Sequence, residues 1–408
     1  MKVLHIALTD GGGAGLGMIN QHLALLKAGV DSKVLVALKK STLDSVYEMK
    51  PNHSILSSNK YIYLLEKIAR RLGICLTEYD KIHHLIYIIR RKHPVQFSSP
   101  VTQYDVSEHP LVEEADVINL HFIADFVDVK SFFSKVKKPI IWTMRDENPG
   151  LGGFHYLATK QTYLQYYKAV EAQLLMIKRR AIMQCQQLQI VSLSRKMLEF
   201  CQQVDYLACR PNAIIYNAIS SEAFQPFDRR KARKKFGLRE DDMVLSFVSA
   251  ELTEERKGLS LLLEALDILH DERIKLLCVG RSSVEINHKN VILLGSICDT
   301  HQLSMVYSAS NAFVTASSQE SFGKTVVEAL YCGTPVVSMP VGIASEIIDE
   351  TNGVLCSART PQEIANGIKK ISATNYDSTS IRATAKDKFA PERIAQKYIN
   401  LYSSMLQS

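Results

Sequence analysis

The sequence predicts an α/β protein made of two doubly wound domains. Three observations carry this. At 408 residues the chain exceeds the ~250–300 at which a single hydrophobic core stops growing. Short runs that are apolar throughout alternate with helical patterns, the mark of parallel strands covered on both faces. These runs form two series of similar size, parted near Tyr216–Phe227 (YNAISSEAFQPF), where periodicity gives way to turn chemistry.

In order, the first series places strands at Val3–Leu8, Lys33–Leu38, Val117–Leu120, Pro139–Thr143, Gln189–Leu193 and Ala213–Tyr216. The second places them at Met243–Val248, Lys275–Val279, Val291–Leu294, Ala312–Thr315, Pro335–Ser338 and Val354–Cys356. A helix over Met18–Ala28, apolar at Ile19, Leu23 and Leu26, follows the first strand. Domains are expected over residues 1–218 and 219–388. The remainder, 389–408, is helical over Pro391–Leu406 and is expected to pack back on the first domain.

Composition excludes little. The chain is 46% hydrophobic and 22% charged, as soluble globular proteins are. Its net charge of +7 suits an anionic ligand or membrane headgroups as well as nucleic acid. The eight cysteines form no C-x-x-C pair and no zinc-spaced cluster, so buried free thiols in a reducing compartment are expected. The opening MKVLHIALTDGGG lacks a signal-peptide shape, and no apolar stretch approaches the ~20 residues of a membrane span. A cytoplasmic protein is the expectation. Residues 60–93 break the alternation, with eight Lys/Arg against three acids and Tyr, Leu and Ile at helical spacing. Two readings stand: amphipathic helices packed on the sheet, or a helix lying on an anionic membrane surface. The basic run RRKARKKFGL (229–238) reads as the solvated face of a helix.

Four places could carry chemistry. After the first strand, TDGGGAGLG holds five glycines in seven residues around Gly13. Glycines at a strand–helix junction let backbone N–H groups approach an anion. No acid follows the second strand, which disfavours a dinucleotide fold. Glu254-Glu255-Arg256-Lys257-Gly258 follows strand Met243–Val248; its cations could neutralise a diphosphate, or it could simply start helix Leu259–Leu269. His121 ends a strand in DVINLHF, where it could exchange a proton or be a satisfied structural residue. In QESFGKTVVEALYCG (319–333), Glu320 and Glu328 stand eight positions apart, the first in a loop and the second early in a helix over Thr325–Tyr331. Gly323 between them allows close backbone approach, and the N–H groups of Phe322 to Thr325 would make an anion cradle.

The run ESFGKTVVE followed by ALYCGTPVV resembles the E-x7-E signature of family 4 retaining glycosyltransferases, which have the GT-B fold. The GGGAG loop, DVINLHF, IIYNAISSEAF, ERKG and VGIASEII occur in that family's usual order, so the resemblance covers nearly the whole chain. It implies two Rossmann-like domains facing across a cleft, acceptor on the first and nucleotide-sugar donor on the second. It implies that Glu320 contacts the transferred sugar and Glu328 the donor ribose, while Arg256 and Lys257 hold the diphosphate. The backbone at Phe322, Gly323, Lys324 and Gly13 would close on the phosphates and sugar, and His121 would be the active-site histidine. Two positions depart from the pattern. Glu251 stands where relatives often have Arg, so that Arg256 would supply the cation, and Arg145 in IIWTMRDENP stands where relatives commonly have His, leaving it as an acceptor or sugar contact.

The resemblance further implies transfer with retention, the leaving diphosphate itself taking the acceptor's proton. No D-x-D occurs, so metal independence and no cofactor are expected. The acceptor implied is a glycan or lipid-linked saccharide in bacterial surface polysaccharide synthesis, met at the inner face of the cell membrane; nucleic acid is not an expected partner. A hydrolase using the two glutamates as acid and nucleophile, a sugar-nucleotide epimerase and a non-catalytic sugar-binding protein are the alternatives.

Overall fold

A computed structural model describes residues 1–51, 65, 68, 69, 74 and 77–407. The chain divides into two units: Met1–Leu193 with Met197–Ile215 and Ala395–Ser408, and Ser194–Lys196 with Tyr216–Ile394.

The first unit is a seven-stranded parallel sheet of β1 (Lys2–Thr9), β2 (Asp31–Leu38), β3 (Val46–Glu48), β4 (Val117–Leu120), β5 (Ile140–Met144), β6 (Leu188–Ser192) and β7 (Asn212–Ile214). Their order across the sheet is β3-β2-β1-β4-β5-β6-β7. Residues alternate between faces along a strand. Leu4 and Ile6 of β1, Ile118 and Leu120 of β4 and Trp142 of β5 join a large core with Phe132, Phe154 and Tyr167. The alternate positions, His5, Asn119 and Thr143, are also fully buried. A polar set inside apolar strands needs partners. His5 finds His121 (2.9 Å), and the C-terminal helix Pro391–Gln407 supplies the others, its Tyr398 and Tyr402 hydroxyls meeting Thr143 (3.2 Å) and Asn119 (2.8 Å).

The second unit is a six-stranded parallel sheet of β8 (Met243–Glu251), β9 (Ile274–Arg281), β10 (Val291–Gly295), β11 (Ala312–Thr315), β12 (Val336–Ser338) and β13 (Gly353–Leu355), ordered β10-β9-β8-β11-β12-β13. Leu245, Phe247, Leu276 and Val314 pack on one face against Leu262, Leu266, Ile364 and Ile368 of helices Leu259–Leu269 and Pro361–Ala373. Val244, Leu277 and Val279 pack on the other against Ala232 and Val306.

All twelve expected strands are present, two with the expected bounds and the others with ends moved by one to three residues; β3 was not foreseen. Two helical readings are corrected. Helix Gly12–Lys27 starts six residues before the expected Met18, and it buries Met18, Ile19, Gln21, His22 and Leu25 while Leu23 and Leu26 are exposed, because it packs on Ala7, Val34 and Val36 on the sheet face that also carries His5. In the basic run, Arg233 is buried rather than solvated; its Nε donates to Ala309 O (3.1 Å) and its Nη2 to Asn311 Oδ1 (2.7 Å). Residues 60–76 of the 60–93 segment lie, except 65, 68, 69 and 74, outside the described residues. Its remainder is helix Glu78–Lys92, started by a capping box in which Thr77 and Asp80 exchange side-chain-to-backbone bonds. Ile82 and Ile86 are buried, while Leu85, Tyr87 and Ile88 are exposed. Five of the seven described cysteines are buried free thiols, Cys209 and Cys298 being exposed. Among the described residues no helix is long and apolar enough to cross a membrane.

Candidate active site

β8 and β11 are neighbours in the second sheet, so the loops that leave their C-terminal ends lie side by side. That edge is where open α/β sheets bind ligands. The turn Glu255–Lys257 after β8 and the loop after β11 are joined through backbone: Ser318 N donates to Arg256 O at 2.8 Å, and Arg256 Nη1 donates to Gln319 O at 2.7 Å. Gly258 permits this contact. Its φ is +73°, and a Cβ there would fall 2.6 Å from Ala316 O.

Three predicted residues converge at this junction. Glu320 Oε1 accepts from Lys257 Nζ at 2.5 Å and from Ser317 Oγ at 2.9 Å, with Arg256 Nη1 3.6 Å away. Burial pushes the Glu320 carboxyl up, but Lys257 and Arg256 outweigh it and hold the group below the usual carboxylate range. Both cations are engaged with carboxylates: Lys257 with Glu320, and Arg256 with Glu254 through Nε (2.8 Å) and Nη2 (2.7 Å).

Glu328 behaves in the opposite way. It lies on the second turn of helix Lys324–Tyr331, 5% exposed, where Oε2 accepts from Tyr307 OH at 3.1 Å. Burial raises its pKa in spite of Lys324, whose Nζ is 3.9 Å from Oε1. One glutamate is thus held ionised and the other pushed toward its neutral form. The helix is preceded by Gly323 in a left-handed conformation, and Gly323, Lys324 and Thr325 are partly exposed, where the first helical N–H groups have no intrahelical acceptor. The Phe322 side chain is buried against Tyr216 and Phe389, so it offers a ligand only backbone. Glu251, at the end of β8, sits in register beside the exposed Arg281 of β9, a cation that pattern reading missed along with Ser317 and Tyr307. A cavity of about 520 Å³ lies at the opposite, N-terminal edge of this sheet, lined by Arg229, Met243, Arg273 and Ile274 among others, and it contains none of these residues.

In the first unit, His121 follows β4 and is buried. Its Nδ1 faces Arg145 Nε at 3.1 Å and its Nε2 faces His5 Nδ1 at 2.9 Å, so both ring nitrogens are occupied by protein. Burial lowers the pKa of His121 and of His5, with help from Arg145. Arg145 is itself buried, which lowers it to about 10, and its Nη2 donates to Gln21 Oε1 at 3.2 Å. Gly13 is exposed on the first turn of helix Gly12–Lys27, and a Cβ there would meet nothing within 4 Å. Gly15 is the position the fold itself requires, since its Cβ would fall 2.5 Å from the Asp10 carbonyl carbon.

Two parallel, doubly wound sheets in one chain define an α/β fold of the GT-B kind, and solved glycosyltransferases share it. Sucrose-phosphate synthase from Thermosynechococcus elongatus superposes with a TM-score of 0.68 at 16% identity over 100% of both chains. Anabaena HepE, solved in complex with UDP and glucose, superposes with a TM-score of 0.66 at 18% identity, covering 99% of this chain and 100% of that one. Residues 228–388 match the model of the family described as Glycosyl transferases group 1. An uncharacterized glycosyltransferase of Methanocaldococcus jannaschii is 27% identical over 215 residues, which are 48% of this chain and 54% of that protein. The match spans 38–54% of the length of such curated relatives.

Proposed function

We propose that this protein is a retaining glycosyltransferase of family 4 that moves a sugar from a nucleotide-diphosphate sugar to a glycan or lipid-linked acceptor in bacterial surface polysaccharide synthesis. The observation that carries the reading is the meeting of Arg256, Lys257 and Glu320 at the C-terminal edges of β8 and β11, inside the segment that matches the group 1 glycosyltransferase model. A uridine diphosphate donor is supported by HepE, solved with UDP and with UDP-glucose.

In this reading Lys257 and Arg256 turn to the diphosphate, and the N–H groups at Gly323–Thr325 face its oxygens. Glu320 then holds the sugar hydroxyls and Glu328 the ribose, with Gly13, His121 and Arg145 serving the sugar and the acceptor. The bond from sugar C1 to the diphosphate breaks, the acceptor oxygen bonds C1 on the same face, and the acceptor's proton passes to the departing phosphate oxygen. Charge developing on that oxygen is stabilised by the cations and the N–H groups. No cofactor takes part, and no metal is required.

Helix Glu78–Lys92 supports a peripheral place on an anionic membrane at the cytoplasmic face. Its exposed Leu85, Tyr87 and Ile88 stand with Lys81, Arg91 and Lys92, also exposed, in the arrangement of a helix lying in the interface. Arg90 takes a different part, donating to the Phe97 carbonyl.

Product analysis with a panel of sugar nucleotides, with and without EDTA, tests the proposal. Nucleoside diphosphate released only with acceptor, at a rate EDTA does not change, is the expected result. An isomerised sugar nucleotide would replace the reading with an epimerase, and free sugar without acceptor with a hydrolase.

A further inference from the structure

Polar side chains from five parts of the chain meet on the buried face of the first sheet, and their proton positions follow from which atoms can only donate. A guanidinium has no acceptor. Arg145 Nε, 3.1 Å from His121 Nδ1, therefore makes that nitrogen the acceptor. The neutral ring carries its proton on Nε2 and donates it to His5 Nδ1 at 2.9 Å. His5 then carries its own proton on Nε2, a buried atom with no hydrogen-bond partner. His22, which lies edge-on to His5, points its two nitrogens elsewhere, at Ser32 and Ser45. A proton added to His121 would set donor against donor at Arg145.

The same logic fixes the next link. Gln21 must turn Oε1 to Arg145 Nη2 (3.2 Å), which leaves its Nε2 donating to Tyr402 OH at 3.0 Å. That hydroxyl also accepts from Asn119 Nδ2 at 2.8 Å, while Asn119 Oδ1 accepts from Thr143 Oγ1 at 2.9 Å. Two N–H groups use both acceptor sites of the tyrosine oxygen. Without it, the Gln21 amide could flip and present its NH2 to the guanidinium.

We infer that Tyr402, on the C-terminal helix, and Gln21 are positioning residues that act through Arg145 to hold the His121 imidazole as its neutral tautomer with the proton on Nε2. Its bearing on catalysis rests on the proposed place of His121 in the site; the tautomer itself can be read without any substrate.

Side-chain nitrogen NMR of the full-length protein labelled with 15N-histidine, with His121 assigned from a His121→Gln sample, makes the test. Wild type should show His121 as a fixed Nε2–H tautomer, unchanged over the pH 5–8 in which a free histidine titrates. In Tyr402→Phe the pattern should become a mixture of tautomers or begin to titrate. Adding Gln21→Glu to that variant gives Arg145 an acceptor whichever way the side chain turns, and should restore the wild-type pattern. If Tyr402→Phe does not fold, Gln21→Leu carries the test, with the same loss expected. An unchanged His121 pattern in a folded variant, or no rescue in a folded double variant, overturns the inference. With UDP-glucose as probe donor, kcat should fall roughly ten- to hundredfold in Tyr402→Phe with KM little changed, as a misplaced site group would produce. Full turnover with a changed tautomer would reject the positioning role. Absence of turnover in wild type would count against the proposed function and leave the NMR result standing.

Discussion

Lys257 serves one anion in the structure and, in the proposed mechanism, a second. Its ammonium donates to Glu320 Oε1 at 2.5 Å, with 21% and 17% of the two side chains exposed. A diphosphate must share that ammonium or take it, so substitutions at the two ends of the pair should move UDP affinity in opposite directions. Lys257→Ala removes a hydrogen bond to a charged group, about 1.5–3 kcal/mol, and UDP binding should weaken roughly ten- to hundredfold. Glu320→Gln leaves an acceptor for Lys257 but makes it neutral, loosening the pair by about 1 kcal/mol and tightening UDP about fivefold. The gain runs through the ammonium, so the double variant should bind no more tightly than Lys257→Ala. Titration calorimetry with UDP on all four proteins checks this at one ionic strength, since exposed charges are screened by salt. Unchanged affinity in Lys257→Ala would remove Lys257 from the phosphate site. Weaker binding in Glu320→Gln would mean that the carboxylate supports the nucleotide and does not compete with it.

Three further outcomes are expected. Glu320→Gln should lose transfer by a hundredfold or more, on the order of one transition-state contact to a charged group, while still binding donor; near wild-type turnover would sink its assignment to the sugar. Burial raises the Glu328 pKa above 4.5, so its favourable contribution is full below 4.5 and is lost as pH rises through the folded value. Glu328→Gln, a fixed copy of the protonated form, should therefore melt above wild type at pH 8 and with it at pH 4, and equal melting temperatures at pH 8 would contradict the burial argument. Reversing Lys81, Arg91 and Lys92 to Glu should release the protein from phosphatidylglycerol vesicles in a flotation assay; retention of the variant, or failure of wild type to bind, would end the membrane reading.

The strands were legible because both faces of each sheet are covered, so nearly every strand position is apolar and a short run stands out by itself. β3 was not, since only Val46 of its three residues is buried and a strand that short has no period to detect. The first helix shows the converse. Its apolar Ile19, Leu23 and Leu26 lie at helical spacing, yet Leu23 and Leu26 face solvent and Gln21 and His22 face the sheet. The helix does bury Met18 and Ile19 against Ala7, Val34 and Val36, but the same face of the sheet carries polar groups, and there the rule that only apolar residues mark the inner face fails.

The two clusters differed in legibility for the same reason. Glu320, Gly323 and Glu328 sit within nine residues, and Arg256 and Lys257 leave the strand next door, so local pattern and the edge rule for α/β sheets bring them together without tertiary knowledge. The His121 network draws on β1, helix Gly12–Lys27, β4, β5 and the C-terminal helix, and its Gln21–Tyr402 bond spans 381 positions. A trace of it was nonetheless present. His5, Asn119 and Thr143 interrupt strands that are otherwise apolar, and Asn119 with His121 and Thr143 with Arg145 keep the two-residue period that puts them on one face. A polar residue in a strand buried on both sides must have a hydrogen-bond partner, so such interruptions point to contacts that a scan for apolar runs discards as noise. What the strands alone could not supply was the partner. Tyr398 and Tyr402 are separated by one helical turn of four residues, which reads equally well as an apolar stripe, and only the packed structure shows that their hydroxyls are the part that matters to the sheet.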